Sequence, residues 1–365
     1  MAKIAVVSDV HLGTRQYGVK ERYNDFIDAF VKFGRLAKER KVDAVVIGGD
    51  LFDAPRPDGC SVYVAKSVVG SLKEAGIDVY GIDGNHDLSG SAWLNVIGAC
   101  PLDPITPVKI GSGDGVKMLG ISYKNGRDLV AEVEQMSKCM KTDILVMHFA
   151  LAEMNGGGSA DTGVQELSPF LDKMGVKAVL MGHVHIPDCR RWNGVLYVNP
   201  GSTEMKSFNE PQDKFFYVLD TDTWEAEPVR IPTREMKVVE LFDEDALAKF
   251  QSDLEEEARK ESEGMPRDRR PFYHVFADDS IEDVFNRISK TIHDTYATAR
   301  IVMRSSRSRD LAPVIDRKES VATLESAIEA RFPKDSTEAK LTSAFLNSPD
   351  PESIRMIVDR YMGEG

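Results

Sequence analysis

The chain has no CxxC pair, and its four cysteines (Cys60, Cys100, Cys139 and Cys189) stand far apart. That spacing argues against a structural zinc module and against a dense disulfide framework. It is the usage of an intracellular protein with reduced thiols. Long apolar runs are also missing: none approaches the roughly 20 residues that span a bilayer, so no membrane segment is expected. The opening MAKIAVVSDVH enters a strand pattern at once, without the regions of a signal peptide, so no leader is expected. The phosphate loop GxxxxGK[ST] is absent, which assigns any ATP-driven step to a partner. Positive charge is in deficit, with 46 Lys and Arg against 59 Asp and Glu and a net charge of −13. Such a balance argues against coating nucleic acid by charge alone. Bound cations would offset part of the acidity, and one groove can differ from the whole. Arg300, Arg304, Arg307, Arg309, Arg317 and Lys318 cluster against only Asp310 and Asp316, either as a solvated surface or as a DNA-facing edge.

What is present is an alternation of short apolar runs with amphipathic segments over residues 1–232. The runs are Ile4–Val7, Val42–Ile47, Ile77–Ile82, Val116–Ile121, Ile144–Met147, Val176–Met181, Val195–Val198 and Phe215–Leu219. Between the first two, Phe26, Ile27, Phe30, Phe33 and Ala37 recur at helical spacing. This is an α/β pattern of buried strands, expected to form two stacked sheets flanked by helices. The composition shifts after Pro232. A strand over Lys237–Leu241, a helix capped by Asp243 with Leu247, Phe250, Leu254 and Ala258 on one stripe, and a strand over Phe272–Phe276 follow. Ser280 then caps a helix carrying Ile281, Val284, Phe285, Ile288 and Ile292, and Arg300–Met303 reads as a further strand. The expected organisation is a body at 1–232, a small α+β domain at 233–304, and a linker with C-terminal helices at 305–365.

Nearly every strand of the first half ends in a polar cluster: SDVH, GGD, DGNHD, MHF and GHVH. In α/β folds sites gather beyond the carboxyl ends of strands, so these clusters should converge. Asp9 and His11 lie two apart and face the same way. Asp50 follows the second run, Asn85, His86 and Asp87 the third, His148 ends another, and His183 and His185 share GHVH. Five of the seven histidines therefore sit at strand ends beside Asp and Asn. Any one of them alone would be an ordinary loop residue; the ordered series points to metal. Two divalent ions roughly 3.5–4 Å apart need a bridging carboxylate with imidazole and oxygen donors on each side. A mixed His/Asp/Asn set suits Mn²⁺, Fe²⁺ or Zn²⁺, whereas an all-oxygen cage would suit Mg²⁺ or Ca²⁺.

These motifs resemble the calcineurin-like metallophosphoesterases, whose pattern is DxH, GDxxD, GNH[D/E], a lone His and then GHxH. DVHLG, GDLFDAPRP, NPGSTE at Asn199–Glu204 and FFYVLDTDTWE at Phe215–Glu225 narrow the resemblance to the SbcD or meiotic-recombination-11 branch, nuclease subunits of double-strand-break repair complexes. It covers residues 1–236 and weakens beyond. It implies a two-sheet sandwich with a capping domain that binds DNA. It also implies one metal on Asp9, His11, Asp50 and His185, and another on Asp50, Asn85, His148 and His183, with Asp50 bridging. Two Mn²⁺ ions per chain are the cofactors expected. His86 would meet the scissile phosphate or protonate the leaving oxygen, and Asp87 would orient its ring or cap a helix. Arg56, Arg304 and Arg307 are candidate DNA contacts. Asp53 departs from some archaeal relatives, which carry there a histidine linked to exonuclease action. That departure leaves the balance of exonuclease and endonuclease activity open.

The implied partners are DNA, an SbcC-type coiled-coil ATPase and a second copy of the chain. For the homodimer the candidate surface is Val62, Val64, Val68, Val69 and Leu72 with Trp93, Leu94, Val96 and Ile97, for which core packing is the alternative. For the ATPase it is the tail. Asp335 and Glu338 precede Leu341, Phe345 and Leu346, and Asp350 and Pro351 open a stripe of Ile354, Ile357, Val358 and Tyr361. Two rival functions use the same fold: a small-molecule or phosphoprotein phosphatase, and a non-catalytic scaffold.

Overall fold

In the computed structural model the described residues are 2–90, 92–111, 115–156, 158–241, 244–262, 271–278, 290, 292 and 298–304. The chain divides into two compact units, 1–304 and 305–365, and every described residue lies in the first. The expected cap residues Asp243 and Ser280, most of the helix after Ser280, the C-terminal helices and Arg307 fall outside the described residues.

Two six-stranded sheets form the body. The first runs β12 (Glu225–Ile231), β11 (Lys214–Asp220), β1 (Lys3–Val7), β2 (Ala44–Ile47), β3 (Asp78–Gly81) and β4 (Cys100–Pro101). The second runs β5 (Val108–Ile110), β6 (Val116–Ile121), β7 (Ile144–His148), β8 (Ala178–Gly182), β10 (Val195–Asn199) and β9 (Asp188–Trp192). Within them β1, β2 and β3 pair in parallel, as do β6, β7 and β8.

Alternation along each strand assigns its two faces. Ile4 and Val6 of β1, Val46 of β2, Val146 of β7 and Leu180 of β8 pack between the sheets. Ala5, Val7, Val45 and Ile47 face outward against α1 (Lys20–Glu39) and α2 (Gly59–Glu74), with α3 (Ala92–Ile97) completing that layer. On the other outer face, Leu145, Met147 and Val179 pack on α4 (Gly126–Met136) and α5 (Val164–Met174). The strands are apolar on both faces because the facing sheet covers one and helices the other, the condition that makes parallel sheets buried. The result is the α/β sandwich flanked by helices expected above.

Of the residues expected at a dimer surface, Val68, Val69, Leu72, Leu94 and Ile97 are core, and Val62, Val64 and Trp93 pack against it. Tyr63 (73% exposed) and Val96 (48% exposed) are the large apolar groups those two helices leave on the surface.

After Pro232, β13 (Met236–Leu241), β14 (Phe272–Asp278) and β15 (Thr298–Arg304) form a separate parallel sheet. It is covered by α6 (Glu244–Ser262) through Leu247, Phe250 and Leu254. Ring stacking and ion pairs tie it to the body. Tyr17 stacks at 5.7 Å from Phe208 and 5.6 Å from Phe272. Asp25 of α1 accepts from both Arg22 (2.7 Å) and Arg234 (2.8 Å).

Candidate metal centre

The parallel runs bring the ends of β1, β2, β3, β7 and β8 to one place, and the backbone there is strained. Asp9 (φ 50°), His11 (φ 51°), Asp50 (φ 50°) and His183 (φ 94°) all adopt left-handed conformations. Non-glycine residues held this way cost on the order of 1–3 kcal/mol each and persist where the surroundings over-determine them. Gly49 (φ 98°) lies against the His148 ring, and Gly84 lies against the Asp50 carboxylate, so neither position has room for a side chain.

All seven proposed ligands meet. On one side His11 Nε2 is 3.1 Å from His185 Nε2 and 3.7 Å from Asp50 Oδ2, and His185 Nε2 is 3.8 Å from Asp9 Oδ1. On the other, Asn85 Oδ1 is 2.8 Å from His183 Nδ1 and 3.1 Å from His148 Nε2. Asp50 Oδ2 reaches His148 Nε2 at 3.5 Å as well, so this one oxygen lies between the two sets. Its partner Oδ1 accepts the His86 amide (2.8 Å), and the Asp9 carboxylate accepts the His183 amide (3.0 Å). Asp9, His11, Asp50 and His148 are buried.

The donors fit divalent cations. Two imidazole nitrogens at 3.1 Å cannot both present lone pairs without a proton or a cation between them. Ligand nitrogens about 2.0–2.1 Å from one ion and at right angles around it lie about 3 Å apart. Protonation behaviour points the same way. Burial would raise the Asp50 carboxyl, but His148, His11 and the His86 amide outweigh it and hold it well below the usual range. Burial would lower His148, but Asp50 and Asp9 push it up to about 9. Burial lowers His11 and His183, and His148 adds to the effect on His183. Carboxylates that favour positive charge on the His148 ring would favour a cation at the same place.

His86 stands apart from these sets. It is 39% exposed, its ring meets the His11 ring edge-on at 4.8 Å, and its Nδ1 donates to the Asp53 carbonyl at 3.1 Å. Asp87 corrects an expectation. Its carboxylate accepts the amides of Phe52 (3.1 Å) and Gly84 (2.8 Å), so it ties the GGD and GNH loops together. It neither orients the His86 ring nor caps a helix, because both oxygens are taken by backbone. Burial pushes it up to about 6. Arg56 is exposed on the loop before α2, and Arg304 ends β15.

Sequence reasoning missed a second layer. Glu210 Oε1 is 2.9 Å from His185 Nδ1, while its Oε2 accepts from Lys214 (2.6 Å) and Ser202 (2.8 Å). Asp53 Oδ1 is 3.2 Å from His11 Nδ1 and 2.7 Å from Lys206 Nζ. Asn199 donates to the Val184 and Ile186 carbonyls and so holds the GHVH turn. The NPGSTE motif carried part of this signal without a role attached; Glu210 and Lys214 carried none.

Residues 2–224 match the calcineurin-like phosphoesterase superfamily domain, and the chain belongs to that superfamily. It is 30% identical over 268 residues to the DNA double-strand break repair protein Mre11 of Aeropyrum pernix, a match covering 66% of this chain and 64% of that one. The protein of the same name from Archaeoglobus fulgidus is 26% identical (72% and 67% covered), and that from Haloferax volcanii 31% (65% and 53%). The chain therefore spans between 53% and 67% of the length of these relatives.

Proposed function

We propose that the chain is a two-metal DNA nuclease, hydrolysing phosphodiester bonds with Mn²⁺ as exonuclease and endonuclease during double-strand-break repair. The observation that carries the reading is the convergence of two aspartates, one asparagine and four histidines from five strand ends around one shared oxygen of Asp50. Asp9, His11, Asp50 and His185 would hold one ion, and Asp50, Asn85, His148 and His183 the other. When bound, the pair would supply activated water near neutral pH and neutralise phosphoryl oxygens.

The chain's own groups do the rest. The Asp53 carbonyl fixes Nδ1 of His86 as a donor, which turns Nε2 to the substrate; as the imidazolium, the ring would donate from Nε2 to the scissile phosphate or pass that proton to the departing 3′ oxygen and become neutral. Lys206, at the rim beside Asp53, adds positive charge where a phosphate would approach. DNA is favoured over a small phosphomonoester by the sheet at 233–304, which stacks on the same 206–210 segment that carries Lys206. The similarity to double-strand break repair proteins supports the same choice.

The reading extends to an intracellular protein with a nuclease body at 1–232, a DNA-binding cap at 233–304 and a tail at 305–365 that docks an SbcC-type coiled-coil ATPase. It further includes a homodimer, with Tyr63 and Val96 left exposed on α2 and α3; sedimentation showing only monomer at micromolar concentration would remove that part. No helix among the described residues is long and apolar enough to cross a membrane.

The test is incubation of the chain with labelled single- and double-stranded DNA and with p-nitrophenyl phosphate, in Mn²⁺, Mg²⁺ or chelator. Cleavage of DNA in Mn²⁺ and none in chelator supports the reading. Turnover of the phosphomonoester with DNA untouched makes the chain a phosphatase instead.

A further inference from the structure

We propose that Glu210 is a positioning residue that makes the Asp9–His11–His185 side the tighter of two unequal cation sites. The proposal rests on the two-metal reading above. His185 is backed at Nδ1 by the Glu210 carboxylate, 2.9 Å away. Glu210 is held in turn by the Lys214 ammonium at 2.6 Å. Glu210 also accepts from the Ser202 hydroxyl and the Lys206 amide, so it cannot swing away from His185.

A carboxylate accepting from Nδ1–H fixes the tautomer that carries its lone pair on Nε2, the atom that faces the site. It also makes the ring a stronger donor to a cation, and such outer partners are typically worth about 10–100-fold in metal affinity. On the other side His148 lacks this backing: its Nδ1, the atom turned away from Asn85 and Asp50, donates to the neutral Gly48 carbonyl at 2.8 Å.

The experiment is calorimetric titration of Mn²⁺ into the chelator-treated full chain, with circular dichroism as the check on folding. Wild type should show two classes of site with distinct affinities. Glu210→Gln should weaken the tight class by about 10–100-fold and leave the weak class in place, and Asn85→Ala should do the reverse. Two indistinguishable sites in wild type, or two classes that Glu210→Gln does not move, overturn this inference and leave the two-metal reading standing. No Mn²⁺ binding by wild type overturns both. Glu210 sits in a buried pair with Lys214; should Glu210→Gln fail to fold, Ser202→Ala, which removes a hydrogen bond that holds Glu210 on His185, decides the matter by the same readout.

Discussion

Gly84 rests directly against the carboxylate of Asp50, so closely that a single methyl group there would overlap it. The two residues come from the ends of neighbouring parallel strands, and the contact aims Asp50 Oδ2 between His11 and His148. Gly84→Ala needs no left-handed backbone, but its methyl would also meet the Asp50 amide nitrogen, so the loop must shift and displace the shared oxygen. Misplacement on the order of 1 Å can cost about 10²-fold in rate. Cleavage assays should show a loss of at least that order in protein that circular dichroism shows to be folded, with a lowered melting temperature. Unchanged activity would mean that Asp50 is not held by this contact.

Arg22 is fully buried and binds Asp25, Glu204, Gln16 and the Met205 carbonyl. Arg22→Ala would leave the buried Glu204 without its guanidinium while Asp25 keeps Arg234, and breaking such a network costs about 3–5 kcal/mol. It would also release the 205–206 segment that sets Lys206 beside Asp53. Urea denaturation checks the first effect; a change below about 1 kcal/mol would place this cluster among weak surface pairs.

Asp58 caps α2 by accepting the Cys60 and Ser61 amides, each at 3.0 Å. Asp58→Ala should cost about 1 kcal/mol at neutral pH. Burial would raise the Asp58 carboxyl, but the Ser61 and Cys60 amides with the Tyr23 and Ser61 hydroxyls hold it below its ordinary value. A depressed folded pKa gives stability that is present above the unfolded value, about 3.9, and is lost as pH falls through the folded one. The gap between wild type and variant should therefore be constant from pH 5 to 7, on the order of the capping energy, and close in stronger acid. A gap that widens in acid would contradict the cap.

The tail lies outside the described residues, and its proposed role comes from its apolar stripes together with the family resemblance. Truncation at Pro333 should spare Mn²⁺-dependent cleavage and remove binding to a coiled-coil ATPase. Unfolding or loss of cleavage in the truncated chain would show that the stripes belong to the fold.

The eight body strands legible in the sequence are the inner members of both six-stranded sheets, where helices and the facing sheet bury most side chains. The four that escaped, β4, β5, β9 and β12, are the four sheet edges. An edge strand is half solvated, so β12 alternates without an apolar run and tolerates Pro228, and β9 carries Arg190 and Arg191. The candidate ligands were legible because they follow buried strands directly. Glu210, Lys214 and Lys206 were not, because they act through contacts between segments distant in sequence. Asp87 was misread for a related reason: its neighbour in sequence is His86, but its oxygens turn back to the amides of Phe52 and Gly84.

The most direct test of the account is a metal count by mass spectrometry on wild type, Asp50→Ala and His86→Ala, with DNA cleavage measured on the same samples. The account predicts two Mn²⁺ per chain in wild type, loss of metal and of all cleavage in Asp50→Ala, and retention of both ions in His86→Ala with cleavage down about 10²–10⁴-fold. Loss of metal from His86→Ala to the same extent as from Asp50→Ala would contradict it, because His86 would then be a ligand and not the group that meets the substrate.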